Sequence, residues 1–97
     1  NLNDQELNQR LAKAWEDEKF KALMHGTVQI GQGGEYPSQS EADAALCSKL
    51  AFYLGPDPEA IEKVAMDSEL KREKWDREDY LRRTIFFVDV KLSASML

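Results

Sequence analysis

Basic and aromatic side chains alternate in the last third of this chain. Lys71-Arg72-x-Lys74-Trp75 is followed by Tyr80 and by two adjacent arginines, Arg82 and Arg83. Cations bind phosphate groups, and aromatic rings stack on bases or sugars. The spacing of these residue types therefore favours a surface that binds nucleic acid.

The same segment is also compatible with a purely structural role. Trp75 and Tyr80 lie five residues apart across a predicted helix start, and both can fold back onto the core as a hydrophobic staple. Arg82 and Arg83 are better candidates for an exposed role, although helical spacing also allows ion pairs with nearby carboxylates. Such a charge run more frequently belongs to a solvated helix face crossed by salt bridges.

Glu41 and Asp43 are a second pair of residues that could do chemistry. Two positions apart on a helix, they point about 200° away from each other and cannot share one ion. Ser40-x-x-Asp43 fits a capping box instead, and Glu41 fits a surface acid that complements the helix dipole. We therefore expect no catalytic constellation, no metal site and no cofactor in this segment or elsewhere in the chain.

The glycine-rich stretch Gly31-Gln32-Gly33-Gly34 predicts a loop. A phosphate-binding loop would need Gly-Lys-Ser/Thr after it and a long apolar strand before it, and neither is present. His25 is the single histidine and has no cysteine or histidine at metal-ligand spacing. Neither feature predicts a site.

The distribution of charge limits where nucleic acid could bind. The net charge is −5 and the isoelectric point about 4.8, whereas DNA-binding domains are usually basic. Residues 1–67 hold six basic and twelve acidic residues, but residues 68–97 hold seven basic and six acidic ones. A surface that faces phosphates is therefore expected in the last third, and its candidate contacts are Lys71, Arg72, Lys74, Arg77, Arg82 and Arg83.

Length and composition predict one small domain. Ninety-seven residues suffice for a single core, so we expect one domain over residues 1–97. No apolar run approaches the roughly 20 residues of a membrane helix, and the polar start does not resemble a signal peptide. The first residue is not Met, which suggests a fragment of a larger protein. One cysteine, Cys47, excludes an internal disulfide and fits a reducing cytoplasm.

Apolar spacing predicts an all-α fold, a compact bundle of about five helices. We expect helices at about 4–15 and 17–24, a central buried helix from Ser40 to Gly55, a short helix from residue 58, and a last helix from Asp76 to about Lys91. Cys47 lies in the central helix and is expected to be a core thiol. Residues 27–30 alternate like a short strand, residues 86–92 are compatible with helix or strand, and residues 92–97 are expected to fray.

Several sequence pieces occur in an order that resembles a known family. They are Phe20-Lys21-Ala22-Leu23 with Gly26, Ser38 to Leu46, Leu50 to Tyr53, Asp57 to Ile61, Lys74 to Tyr80, and Arg83 to Ile85. In these pieces the chain resembles the helix-bundle domain that follows the catalytic primase-polymerase domain in phage, plasmid and other mobile-element replication proteins. The resemblance covers about residues 4–86.

The resemblance implies an accessory domain and not the catalyst. In this family the metal-binding carboxylates of the polymerase lie on the preceding domain, and the bundle helps to bind single-stranded template DNA and the initiating nucleoside triphosphate. It also connects the polymerase to a helicase module. A second hypothesis is a protein-interaction or scaffolding bundle without nucleic-acid contact, which the acidic isoelectric point supports.

Overall fold

The computed structural model describes residues 2–77 and 79–95, and for residues 89–95 it describes the backbone alone. Five α-helices and one short 3-10 helix occur in this part of the chain, and no β-strand does. In chain order they are α1 (Asp4–Ala14), α2 (Glu18–His25), α3 (Gln39–Leu54), α4 (Pro58–Ala65), the 3-10 helix (Glu73–Asp76) and α5 (Tyr80–Ser95). The prediction of an all-α bundle is confirmed.

Helix α3 is the centre of the bundle. It packs against α1, α2, α4 and α5 and contributes the apolar buried residues Ala42, Leu46, Cys47, Leu50 and Leu54. The prediction of a central, buried helix is therefore confirmed. Burial withholds the Cys47 thiolate from water and raises the pKa of that thiol to about 12, so Cys47 is a core thiol as expected.

The N-terminal cap of α3 is Ser38 and not Ser40. Ser38 has extended backbone angles, and its Oγ accepts a hydrogen bond from the Glu41 amide at 3.3 Å. The predicted capping box Ser40-x-x-Asp43 is therefore wrong. Ser38-x-x-Glu41 has the same spacing of a hydroxyl and an acid, whereas the Asp43 side chain faces inward and takes no part in the cap.

The segment between α2 and α3 is a loop. Gly26 ends α2 in the left-handed conformation, at φ +67°, where an added Cβ would lie 3.0 Å from the Cβ of Glu69. The strand predicted for residues 27–30 does not form. A single bridge joins Ile30 to Tyr36, and the backbone between them turns too tightly to continue a ladder.

The connection into α5 also differs from the prediction. Asp76 ends the 3-10 helix and does not cap α5, which begins at Tyr80. Asp79 immediately precedes it with φ +54°, a left-handed conformation that aspartate tolerates better than most residues. The helix continues to Ser95, beyond the predicted end at Lys91, and residues 96 and 97 of the expected frayed tail lie outside the described residues.

None of the helices described for residues 2–77 and 79–95 is both long enough and apolar enough to cross a membrane.

Candidate nucleic-acid interface

The polar centre of the molecule is Asp43, whose side chain is completely buried. Its Oδ1 accepts a hydrogen bond from Arg72 Nη1 at 3.0 Å, and its Oδ2 accepts one from Arg72 Nη2 at 2.7 Å. Oδ2 also accepts from Trp75 Nε1 at 3.4 Å and from the Tyr80 hydroxyl at 2.7 Å. The carboxylate thus joins α3 to the 3-10 helix and to the start of α5.

The Arg72 guanidinium is occupied by Asp43, although 24% of the Arg72 side chain is exposed. Its guanidinium forms a two-pronged pair with Asp43, and Nη1 also donates to the Leu70 carbonyl at 3.2 Å. The hydrogen bonds from this guanidinium to Asp43 raise the pKa of Arg72, so the group stays charged. A buried carboxylate is tolerated because each of its oxygens is bonded to this cation.

Trp75 and Tyr80 attach the 3-10 helix and the start of α5 to the core. Trp75 is only 4% exposed, so of the two roles that the sequence allows it has the structural one and packs in the core. Tyr80 is half-buried, and burial together with the hydrogen bond to Asp43 raises the pKa of its hydroxyl. Lys74 Nζ lies 4.4 Å from the centre of the Tyr80 ring, within the range of a cation–π contact.

Two grooves meet at Tyr80 and Arg83. The larger groove has a volume of about 620 Å³ and is lined by Ser38, Ser40, Glu41, Ala44, Tyr80, Arg83, Thr84 and Phe87. The smaller groove has a volume of about 360 Å³ and is lined by Lys74, Arg77, Tyr80 and Arg83. The larger groove offers hydroxyl groups and aromatic rings, whereas the smaller one is lined by three cations and one ring.

The structure brings together three of the six cations named from the sequence. Lys74, Arg77 and Arg83 line the smaller groove, all three with exposed side chains. Arg77 forms an ion pair with Glu73 at the surface, where the pair is exposed to water and contributes little to stability. These three residues form a basic surface beside the Tyr80 ring, and phosphate contact by them stays a prediction.

The other three cations are placed differently. Arg82 Nε lies 3.1 Å from Glu62 Oε2 on α4, and this interaction raises the pKa of Arg82. Arg82 lines two further grooves together with Glu62, apart from the smaller groove. Arg72 is bound to Asp43, and Lys71 is exposed.

Asp43 is the residue whose role the sequence reasoning missed. Its signal is present in the periodicity of α3, because Asp43 shares a helix face with Leu46, Cys47 and Leu50. A charged residue on the buried face of a central helix needs a partner of opposite charge. Arg72 is the partner, 29 residues away in sequence.

Glu41 remains exposed in the first turn of α3, as expected, so it and Asp43 do not share a ligand. Among residues 2–77 and 79–88, whose side chains are described, no cluster of three or more His, Cys, Asp or Glu is arranged to hold a metal ion.

Fold and site together define an α-helical bundle domain whose last helices are joined to its central helix by one buried carboxylate. A family model described as the NrS-1 polymerase HBD domain matches residues 39–87, half of the chain. The chain belongs to this family, which is one of helical domains of primase-polymerases. The matched residues run from α3 into α5 and include Asp43, Arg72, Trp75 and Tyr80. Neither the curated proteins nor the solved structures contain a match to the chain.

Proposed function

We propose that this chain is a non-catalytic accessory domain of a primase-polymerase that helps to bind single-stranded template DNA and the initiating nucleoside triphosphate. The observation that carries the proposal is the pair of grooves around Tyr80 and Arg83, within the segment that the family model matches. An adjacent polymerase domain supplies the chemistry, and an adjacent helicase domain is a further partner. The cytoplasm is the proposed place of action.

The smaller groove suits a phosphate backbone. Lys74, Arg77 and Arg83 converge on it, and the Arg77–Glu73 ion pair can exchange its carboxylate for a phosphate at little cost because both side chains are exposed. Arg72 supports this groove from the inside through Asp43 rather than by direct contact. Lys71 and Arg82 remain proposed peripheral contacts, Arg82 after release from Glu62.

The larger groove suits a base and a sugar. Its volume of about 620 Å³ lies within the usual range for small-molecule sites. Tyr80 and Phe87 offer ring surfaces, and the hydroxyls of Ser38, Ser40 and Thr84 offer hydrogen bonds to polar edges. Its shared wall with the smaller groove allows one strand to place a base in one and its phosphates in the other.

A salt titration of DNA binding tests the proposal. The anisotropy of a fluorescein-labelled single-stranded oligothymidine is measured between about 50 and 200 mM salt. Three phosphate contacts predict a slope of log K against log salt of about −2, and Arg83→Glu should weaken binding and make the slope shallower by about 0.7.

Lys19→Glu is the matched control, because it makes the same charge change at an exposed position on α2, away from both grooves. Equal losses of DNA affinity in Arg83→Glu and Lys19→Glu would show that only the net charge matters. That result would contradict the assignment of the smaller groove as the phosphate-binding site.

A scaffolding bundle is the second candidate, and specific side chains favour it. Phe52 is 77% exposed and Phe86 is 70% exposed, and large apolar side chains exposed to this extent are frequent at protein interfaces. Absence of binding to DNA even at low salt, together with binding of the adjacent polymerase domain that Phe86→Ser abolishes, would favour this candidate.

A further inference from the structure

Three residues donate hydrogen bonds to Asp43, and only one of these residues lines the two grooves. Arg72 and Trp75 hold Asp43 from the inside, whereas the Tyr80 ring lines both the larger and the smaller groove. The 2.7 Å hydrogen bond from the Tyr80 hydroxyl to Oδ2 of Asp43 therefore connects the buried carboxylate to the candidate binding surface.

The Tyr80 ring is held from both of its ends. Its backbone is fixed at the first residue of α5, after Asp79 with its positive φ, and the Thr84 hydroxyl donates to the Tyr80 carbonyl at 3.0 Å. The phenol oxygen is held by Asp43 and lies 3.4 Å from Ser40 Oγ. A surface tyrosine would otherwise be free to change rotamer, so this arrangement sets the direction of the ring.

Stability alone does not account for a buried ion at this place. Asp43 is completely buried and Arg72 is partly so, and removing an ion from water is costly, whereas apolar residues of similar volume often stabilise a fold as well or better. The Asp43 network supplies something that an apolar cluster would not, namely a fixed hydrogen-bond acceptor for the Tyr80 hydroxyl. Through this hydrogen bond the Tyr80 ring is held between the two grooves, both of which it lines.

We propose that Asp43 is a positioning residue for nucleic-acid binding, which holds the Tyr80 ring in place so that a base of single-stranded DNA stacks on it from the larger groove. Lys74 Nζ lies 4.4 Å and Arg72 Cζ 5.9 Å from the centre of the ring, so the proposed base approaches the remaining ring surface from the larger groove, which also carries Phe87. This inference rests on the proposed function and specifies which residue prepares the surface for its ligand.

Tyr80→Phe is the first test, because it removes the hydroxyl and keeps the ring. The probe is the same fluorescein-labelled oligothymidine. Without its anchor the ring has to be ordered when DNA binds, and we expect binding to weaken about 3- to 10-fold, the cost of one immobilised side chain.

The protein contains a matched control for the loss of a tyrosine–aspartate hydrogen bond. Tyr53 donates to Asp17 Oδ2 at 2.9 Å, in a network with Lys49 that lies on α2 and α3 and touches neither groove. We expect Tyr53→Phe to change DNA binding less than about 2-fold. Equal weakening by Tyr53→Phe and Tyr80→Phe would mean a general structural effect and would overturn the inference.

Asp43→Asn separates positioning from direct contact, because it keeps the Tyr80 hydroxyl and weakens its anchor. We expect Asp43→Asn to weaken binding at least as much as Tyr80→Phe. Wild-type affinity in folded Asp43→Asn, with a loss in Tyr80→Phe, would mean that the hydroxyl contacts DNA itself and would overturn the inference.

Ring dynamics provide a readout that does not depend on whether Asp43→Asn folds. Carbon-13 relaxation of labelled tyrosine and phenylalanine rings should give a clearly higher order parameter for the ring at position 80 in the wild type than in Tyr80→Phe. Weaker binding with an equally ordered ring would overturn the inference. Absence of DNA binding by the wild type would refute the proposed function, whereas wild-type affinity in Tyr80→Phe would refute this inference alone.

Discussion

Asp17 and Asp43 are two aspartates that each bind one cation and one tyrosine hydroxyl. Asp43 is fully buried and holds Arg72 and Tyr80, whereas Asp17 is partly exposed and holds Lys49 Nζ at 2.8 Å and Tyr53. Asp17 also caps α2 through the amides of Lys19 and Phe20. At the residue scale, the same chemistry thus ties α3 to the rest of the bundle at two places.

The stability of the protein should fall in acid because of Asp17. The hydrogen bond from Lys49, with those from Tyr53 and the Phe20 amide, lowers the pKa of Asp17 to about 2, against burial, which raises it. A carboxyl whose pKa is lower in the folded state contributes stability that is present above its ordinary pKa of 3.8. That contribution, up to about 2 kcal/mol, decreases as the pH falls below about 4 and is lost as the pH falls through the folded-state pKa of about 2.

Urea unfolding followed by circular dichroism at several pH values measures this effect. Asp17→Asn is the comparison, because asparagine keeps the helix cap but not the charge. We expect the variant to be less stable than the wild type at pH 7, and the difference to shrink as the pH falls from about 4 towards and below 2. A difference between the two proteins that does not change with pH would contradict the assignment.

At the scale of elements, side-chain caps determine where the helices begin. Asn3, Asp17, Ser38 and Asp57 each accept a backbone amide at the start of a helix, and Pro58 follows Asp57 at the first helical position. Each cap satisfies donors that the first turn cannot pair internally. The start of α5 differs, since Asp79 precedes it with a positive φ and the Tyr80 hydroxyl donates a hydrogen bond to Asp43.

The two serines at the start of α3 should differ in their contribution to stability. Ser38 caps the helix, so Ser38→Ala should lower the free energy of unfolding by about 1 kcal/mol. Ser40 lies inside the first turn, 3.4 Å from the Tyr80 hydroxyl, and Ser40→Ala should cost less than about 0.5 kcal/mol. Urea denaturation of both variants measures the difference. A larger loss of stability in Ser40→Ala would support a capping box at Ser40 instead of a cap at Ser38.

At the scale of the whole molecule, α3 carries a core that the other helices cover. Phe20 on α2 is completely buried, and its ring lies 5.1 Å from that of Trp15 and 6.4 Å from that of Tyr53, measured between ring centres. It therefore connects the end of α1 with α2 and α3 in one aromatic cluster. Phe52, on α3, instead faces solvent.

Removal of the Phe20 ring should destabilise the whole bundle. Phe20→Ala creates a large cavity and should cost about 3–5 kcal/mol, a large share of the roughly 5–15 kcal/mol typical of a domain. Phe52→Ala is the control and should cost less than about 0.5 kcal/mol, because its ring is 77% exposed. Thermal and urea unfolding measure the free energy of unfolding of both variants. Similar losses of stability in the two would contradict the placement of Phe20 in the core and Phe52 at the surface.

The sequence by itself determined the approximate positions of the helices and the central position of α3, because these depend on the apolar periodicity of each segment. Local spacing also placed Asp43 in a capping box with Ser40. That assignment failed because the spacing Ser40-x-x-Asp43 is the same whether the aspartate caps the helix or is buried in the core. Only the tertiary structure brought Arg72, Trp75 and Tyr80 to Asp43 and Arg83 to the two grooves. The physical reason is that a buried charge is satisfied by partners distant in sequence, and their approach depends on how the helices pack.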